Sequence, residues 1–391
     1  MNRRGVGMTS SATRDLVWFS EVQWDFLSTR KQRLLQRFSP RWRILFVEPY
    51  ALGRSAHWLP VTRGNVTVVT VPFLKTVPYR IGRLLDVALL RNAVASAGEL
   101  ILRFWLRRLG FASRERIVGL SNVYWGRVAA RMPCALRFYD ANDDHLAFPG
   151  SPSWLPGYQS RYLERCGLLF SVSPELTARL PLPSTVRCIE LGNGVEYDHF
   201  ATPLPDAPPE LAAFAAEGGP LLGYAGAMDW VDTELLRETA AACPHCRIAL
   251  LGPAYDRTWR ERNRALLELP NVHWFGKVDY PELPAWVQRF DLALMPLLCD
   301  PLKRASHPNK LYEYAAAGVP VLAIDYCSAL GAARGVIHIA GSAGEFVAMV
   351  PEALRDTRRA ERQAFASEHS WDALALRMEE ELLRASEREA G

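Results

Sequence analysis

The sequence predicts an α/β protein of two domains, each built on a parallel sheet, and three observations carry that prediction. At 391 residues the chain is too long for one ordinary core, and two domains of under about 200 residues each are the natural division. Short apolar runs alternate with amphipathic stretches, the pattern of parallel strands joined by helical crossovers. Midway, LGNGVEYDHFATPLPDAPPE gathers Pro, Gly, Asn and Asp and interrupts the alternation, which restarts at Pro220. The expected domains are residues 1–198 and 199–371, with 372–391 as a closing helix.

In the first half, strands are expected at Leu16–Ser20, Ile44–Glu48, Val66–Val71, Ile117–Leu120, Ala135–Tyr139, Leu168–Val172 and Val186–Leu191. Their runs of Val, Ile, Leu and aromatic residues suit strands covered on both faces. Helical periodicity fits Leu27–Phe38, Tyr79–Leu109, Tyr158–Cys166 and Pro174–Leu180. In the second half, strands are expected at Leu221–Ala225, Arg247–Leu251, Val272–Phe275, Leu292–Pro296, Val321–Ile324 and Val336–Ile339. Two late helices follow, at Pro351–Ala366 and Trp371–Ala385.

With 49% apolar and 23% charged residues, the composition excludes collagenous, disordered and disulfide-scaffold classes. The polar start lacks the apolar core of a signal peptide. The longest apolar candidate, Val87–Leu106, is broken by Arg91, Glu99 and Arg103, so no transmembrane helix is expected. The seven cysteines are scattered and odd in number, which fits reduced thiols in a cytoplasm. Cys243 and Cys246 have redox-motif spacing but precede a strand instead of opening a helix, so the spacing reads as coincidence.

The net charge of +4 conceals an asymmetry. Residues 1–200 carry 27 Lys+Arg against 15 Asp+Glu, and the remainder 19 against 27. A basic half points to an anionic partner. Within it, Arg80–Arg116 mixes Leu84, Leu85, Leu89, Leu90, Leu102, Phe104 and Leu106 with many arginines. That pattern suits either an interfacial helix on an anionic bilayer or a domain helix with a solvated face. Nucleic acid is a poorer partner, because the basic residues sit among aliphatic rather than stacking side chains and no recognition module is apparent.

The most informative stretch is HPNKLYEYAAAG, His307–Gly318. Pro308 and Asn309 suit a helix start, and Gly318 suits its left-handed end. Lys310 and Glu313, three apart, share a face. At a helix N-terminus near the end of a parallel strand, Lys310 would add charge for a diphosphate and Glu313 would accept from ribose hydroxyls. A surface ion pair is the alternative.

FGKVDYPELPAWVQRFDLALMPL, HPNKLYEYAAAGVPVLA and SWDALALRMEEELL together resemble the C-terminal half of GT-B glycosyltransferases, particularly family 4. WFSEVQWDFLSTRKQRLLQRF, ILFVEPY, YDANDDHLAF, SVSPELTARL and LGNGVEYDHF look like a bacterial branch of that family which makes surface polysaccharides. The resemblance covers roughly residues 15–385. It implies two Rossmann-like domains facing a central cleft, the first binding acceptor, the second binding donor, and the closing helix packed back on the first. It implies transfer from a UDP- or GDP-sugar to a growing, perhaps lipid-linked, saccharide, with no metal or other cofactor, at the inner face of a membrane. Glu313 would hold the ribose and Lys310 the diphosphate, with His307 and Asn309 beside them. Gly226 and Asp229 would face the phosphates, and Phe275, Gly276, Lys277 and Val278 the base. Two departures stand out. Ala305 occupies the place of a second family Glu, and GYAGAMDW lacks the usual Arg and Lys.

On the acceptor side, Trp24 and Asp25 follow the first strand. Asp25 would serve as base or acceptor ligand, or would simply cap the next helix. Asp140, Asp143 and Asp144 follow another strand, as acceptor-side or structural groups and not as metal ligands. Two rivals share the architecture, a sugar-nucleotide 2-epimerase and a degenerate non-catalytic scaffold.

Overall fold

A computed structural model describes residues 13–390 apart from 27, 51–55, 73, 75–82 and 148–149. The chain divides into two compact units. The first comprises residues 1–171, 176–191 and 375–391, and the second 172–175 and 192–374.

The first unit is an eight-stranded sheet in the order β3-β4-β2-β1-β5-β6-β7-β8. Its strands are β1 (Arg14–Phe19), β2 (Trp42–Pro49), β3 (Val61–Arg63), β4 (Val66–Val71), β5 (Ile117–Leu120), β6 (Leu136–Ala141), β7 (Leu168–Ser171) and β8 (Arg187–Glu190). All pair in parallel except β3, an antiparallel edge strand on β4. The sequence did not reveal β3, because its three residues are exposed and carry no alternation. Gly64, at φ 60°, makes the tight turn that folds it onto β4. From β4 to β7 the strand order is the doubly wound one, reversing between β1 and β5, where ligand crevices form beyond the strand ends.

The Ala88–Arg108 helix covers this sheet through Ala95, Gly98, Leu102 and Leu106. Gly98 is required there. A Cβ would lie 2.8 Å from the carbonyl oxygen of Pro72. Residues 79–82 of the helix expected at Tyr79–Leu109, and Leu27 of the one expected at Leu27–Phe38, lie outside the described residues. The latter helix occupies Arg30–Leu35, opened by a Thr29–Gln32 capping box. Within the closing helix, Glu379 is buried and ties to β2 and the segment before it. It accepts hydrogen bonds from Ser39 Oγ (2.7 Å), Trp42 Nε1 (2.9 Å) and Arg41 Nη2 (3.1 Å).

The second unit is a parallel six-stranded sheet in the order β11-β10-β9-β12-β13-β14. It comprises β9 (Leu221–Ala225), β10 (Arg247–Leu251), β11 (Val272–Gly276), β12 (Leu292–Met295), β13 (Val321–Ile324) and β14 (His338–Ala340). Leu222 of β9 lies opposite both Ile248 of β10 and Leu292 of β12, so β9 is central and the order reverses between β9 and β12. Pro351 does not start a helix as expected. It lies in the last turn of the Ala343–Ala353 helix, and a separate helix runs from Arg359 to Glu368. The true start is Ser342, whose hydroxyl accepts from the Glu345 N–H.

Candidate active site

In the second unit, three neighbouring strands end in glycines with positive φ. These are Gly226 after β9 (155°), Gly252 after β10 (132°) and Gly276 closing β11 (78°). Close approach demands this. A Cβ on Gly252 would stand 2.0 Å from the carbonyl oxygen of Gly226. The Gly226 N–H donates to Leu251 O (2.7 Å) and the Gly252 N–H to Gly276 O (2.6 Å), which knits the three turns into one bare backbone ledge.

The Asn309–Ala317 helix lies over this ledge and ends in Gly318 at φ 75°. Buried Tyr314 pins it, its hydroxyl accepting from the Ala225 N–H (2.8 Å). Lys310 is one turn earlier on the same face, so it arrives at Gly226. A Cβ at Gly226 would meet Lys310 Cε at 2.2 Å and Nζ at 2.3 Å. Although Lys310 keeps some open surface, its ammonium end is enclosed by Gly226 and Tyr224. Burial lowers its pKa, Glu313 opposes the shift and Lys303 adds to it.

Lys303 was not found from sequence. It belongs to a short Pro301–Arg304 helix capped by Asp300, and its Nζ sits 3.7 Å from the centroid of the Trp230 ring. The loops after β9 and β12 are held together at the reversal point. Asp232 N–H donates to Pro296 O (2.8 Å) and Leu298 N–H to Trp230 O (3.0 Å). Lys303 therefore supplies, from the β12 loop, a cation that the β9 loop lacks. Ala305 is buried, and its carbonyl accepts from Ser173 Oγ (2.8 Å).

The remaining donor-side residues are placed as follows. Asp229 accepts the N–H groups of Tyr255 (2.8 Å) and Asp256 (2.9 Å), so its carboxylate clamps the β10 loop. His307 is held at both ring nitrogens, by the Asn193 N–H (3.1 Å) and the Tyr312 hydroxyl (3.1 Å). It braces the helix start, where Asn309 is exposed. Phe275 packs on Trp286 and His273. Val278 packs against the core, and Lys277 points outward to Asp279 (2.9 Å).

In the first unit, the expected acceptor-side residues do not converge. Trp24 is buried on Phe46. Asp140 is 1% exposed and is gripped by Arg30, with Nε and Nη2 at 3.0–3.2 Å from its oxygens. Asp144 pairs with Arg179 (3.2 Å) and accepts from the Ala147 N–H (3.2 Å). The backbone carbonyl of Asp143 accepts from the His145 N–H. Asp25 is exposed but doubly bound by Arg63 (2.5 and 2.8 Å). It also lies 3.4 Å from His57 Nε2, while His57 Nδ1 meets fully buried Glu48 at 2.9 Å. Glu48 further accepts from Thr70 Oγ1 (2.6 Å) and the Trp24 N–H (2.7 Å). Asp25 is thus neither a helix cap nor an unengaged carboxylate. It links His57 to Arg63 in a Glu48–His57–Asp25–Arg63 chain, whose other members, 23 to 38 positions from Asp25 in sequence, the sequence could not announce.

At the strand-order reversal of this unit, Glu21 is ion-paired with buried Lys31 and accepts from Ser121 Oγ (3.2 Å). Burial opposes its ionisation, but Lys31, His145 and local hydrogen bonds prevail and bring its pKa from 4.5 to about 2. A depressed folded-state pKa gives stability that is present above the unfolded value and lost as pH falls through the folded one. Glu21 accordingly contributes on the order of 3 kcal/mol at neutral pH. Acid melts should show stability falling between about pH 5 and 2 more steeply in the parent than in Glu21→Gln/Lys31→Met. Equal slopes would remove this assignment.

Among the described residues, no helix is long and apolar enough to cross a membrane, and no three His, Cys, Asp or Glu side chains gather as for a metal ion. None of the seven cysteines forms a disulfide, and burial raises the pKa of Cys246 to about 11.

These features define a class. The chain has the GT-B fold, two units with largely parallel sheets, with a lysine-bearing helix at the second unit's strand-order reversal. Residues 219–356, within the second unit, match the family described as Glycosyl transferases group 1. More particularly, the putative teichuronic acid biosynthesis glycosyltransferase TuaH of Bacillus subtilis (strain 168) is 33% identical over 132 residues, which is 33% of this chain and 32% of that protein. The match thus spans about a third of that relative's length. Among solved structures, one described as trehalose-6-phosphate from E. coli bound with UDP-2-fluoro glucose aligns with TM-score 0.70 at 12% identity, over 94% of this chain and 98% of that one. HepE from Anabaena in complex with UDP aligns with TM-score 0.63 at 14% identity, over 95% and 100%. At such identities the likeness is one of fold.

Proposed function

We propose that this protein is a glycosyltransferase that moves a sugar from a UDP- or GDP-sugar to a saccharide acceptor in polysaccharide or glycoconjugate synthesis. The observation that carries the reading is the ammonium of Lys310 closed onto the glycine ledge, with Glu313 one turn along and Lys303 opposite. Bare backbone, a helix N-terminus and two lysines form a surface for a diphosphate. The UDP-2-fluoro glucose and UDP bound by the structural neighbours, and the likeness to a putative teichuronic acid biosynthesis glycosyltransferase, support it. In the reaction the sugar's bond to the diphosphate oxygen breaks, one to the acceptor oxygen forms and the acceptor hydroxyl's proton is released to solvent, while the lysines stabilise the charge on the leaving diphosphate.

The test is binding. Glu313 accepts from the ribose hydroxyls, and a hydrogen bond to a charged group contributes about 1.5–3 kcal/mol. Glu313→Ala should weaken UDP or GDP by about ten- to hundred-fold in calorimetry. The fold should survive, since Leu311 and Tyr314 keep the helix buried. Unchanged affinity in a folded variant would leave the reading on architecture alone.

Metal independence is part of the proposal, because Asp140 and Asp144 are committed to Arg30 and Arg179. Transfer should persist in excess EDTA. Loss that Mg²⁺ or Mn²⁺ restores would count against it.

The reading extends to peripheral contact with an anionic membrane. It is supported by the face of the Ala88–Arg108 helix opposite the core, where Leu89, Leu100 and Phe104 are 78%, 68% and 58% exposed.

A further inference from the structure

Beside that face, a cleft of about 330 Å³ opens between the Ala88–Arg108 and Gly126–Arg131 helices. Leu102, Leu106 and Met132 form its apolar wall, and Arg103, Arg107, Arg116 and Arg131 line it with charge. Among the described residues, the one acid lining it is Glu99, which Arg103 engages at 2.5 Å. Arg116 is 5% exposed, and its Nη1 donates to the carbonyl oxygen of Phe111 (2.5 Å). Its buried Nε has no hydrogen-bond partner. Burying a guanidinium with a donor unmet is costly, and an anion in the cleft would relieve that cost. Burial also lowers the Arg116 pKa. Arg116 immediately precedes β5, so the cleft lies where the strands begin, at the opposite end of the sheet from Glu21 and Ser121.

We infer that this cleft binds the phosphate headgroup of an anionic membrane lipid. The inference rests on the membrane contact proposed above and gives it a specific ligand site. Arginine forks suit phosphate oxygens. Leu100 and Phe104, on the same helix as Arg103 and Arg107, offer an apolar surface for the acyl chains. Anchored here, the protein would be held by a face that leaves the strand C-terminal ends unencumbered.

The experiment measures binding of the full chain to vesicles of phosphatidylcholine alone and of phosphatidylcholine doped with phosphatidylglycerol. It compares the parent with Arg131→Glu and with Arg161→Glu. Both replaced arginines are exposed on the first unit and impose the same charge change, but only Arg131 lines the cleft. Arg131→Glu should weaken binding to the doped vesicles by about tenfold or more, and Arg161→Glu by much less. Melting curves serve as the folding control. Equal losses in the two variants would overturn the cleft while leaving membrane contact standing. Absence of parental binding to doped vesicles at low salt would overturn both, though not the transferase reading. Soluble glycerol phosphate titrated against the same proteins separates the sources. If it binds the parent, is lost with Arg131→Glu, and vesicles do not bind, the site takes free phosphate and the lipid assignment fails.

Discussion

Lys310→Met is expected to lower the turnover number by about two to three orders of magnitude, the effect typical of removing one preorganised group from a developing anion. The ammonium reaches its place through the Asn309–Ala317 helix, which Tyr314 fixes to the end of β9. It therefore needs no reorganisation as charge builds on the leaving diphosphate. Ground-state affinity should change less, because Lys303, the glycine ledge and Glu313 remain. Gly226→Ala should mimic the loss, since the added methyl would occupy the position of Lys310 Cε and Nζ. Burial lowers the Lys310 pKa, so the free enzyme should lose its ammonium at a lower pH than an ordinary lysine does. In the parent, kcat/KM should therefore fall on the alkaline side with a limb that Lys310→Met lacks. Steady-state kinetics with calorimetric nucleotide affinity decide the matter. If nucleotide affinity collapses while kcat is retained, Lys310 is a binding group only.

The units' sheets were legible in the sequence because their strands are apolar on both faces. Leu221–Ala225, Arg247–Leu251 and Val321–Ile324 coincide with the expected runs, and so do Val66–Val71 and Ile117–Leu120. The Asn309–Ala317 helix was legible because Pro308 and Gly318 punctuate it. What escaped notice depends on tertiary encounter. Gly252 acquires meaning only because β10 lies beside β9, and Lys303 only because the β12 loop pairs with the β9 loop at Trp230 and Asp232. Position by position, Asp229 and His307 looked like ligand residues. Both also hold loop backbone, accepting the N–H groups of Tyr255, Asp256 and Asn193. A polar residue after a strand can serve the loop as readily as the ligand, and spacing alone does not distinguish the two.

Asp140 shows the same ambiguity with the largest expected effect on stability. Asp140→Leu should destabilise the protein by about 3–5 kcal/mol, because it strands the charge of Arg30 in the interior. Both side chains are almost wholly buried, at 4% and 1% exposed, and Arg30 Nη2 lies 3.0 Å from Asp140 Oδ1. Their mutual attraction offsets a desolvation cost that neither partner could bear alone. Arg30→Met/Asp140→Leu removes both charges and should recover most of the loss, whereas a residue that touched acceptor would gain nothing from losing its arginine. Denaturant unfolding of the two single variants and the double variant gives the coupling. Kinetics on the folded double variant give the second readout, with KM for the acceptor expected within about threefold of the parent. A double variant that is as stable as the parent but has lost acceptor binding would return Asp140 to the acceptor site. A double variant no more stable than Asp140→Leu would show that the pair is not the unit that holds this edge of the sheet together.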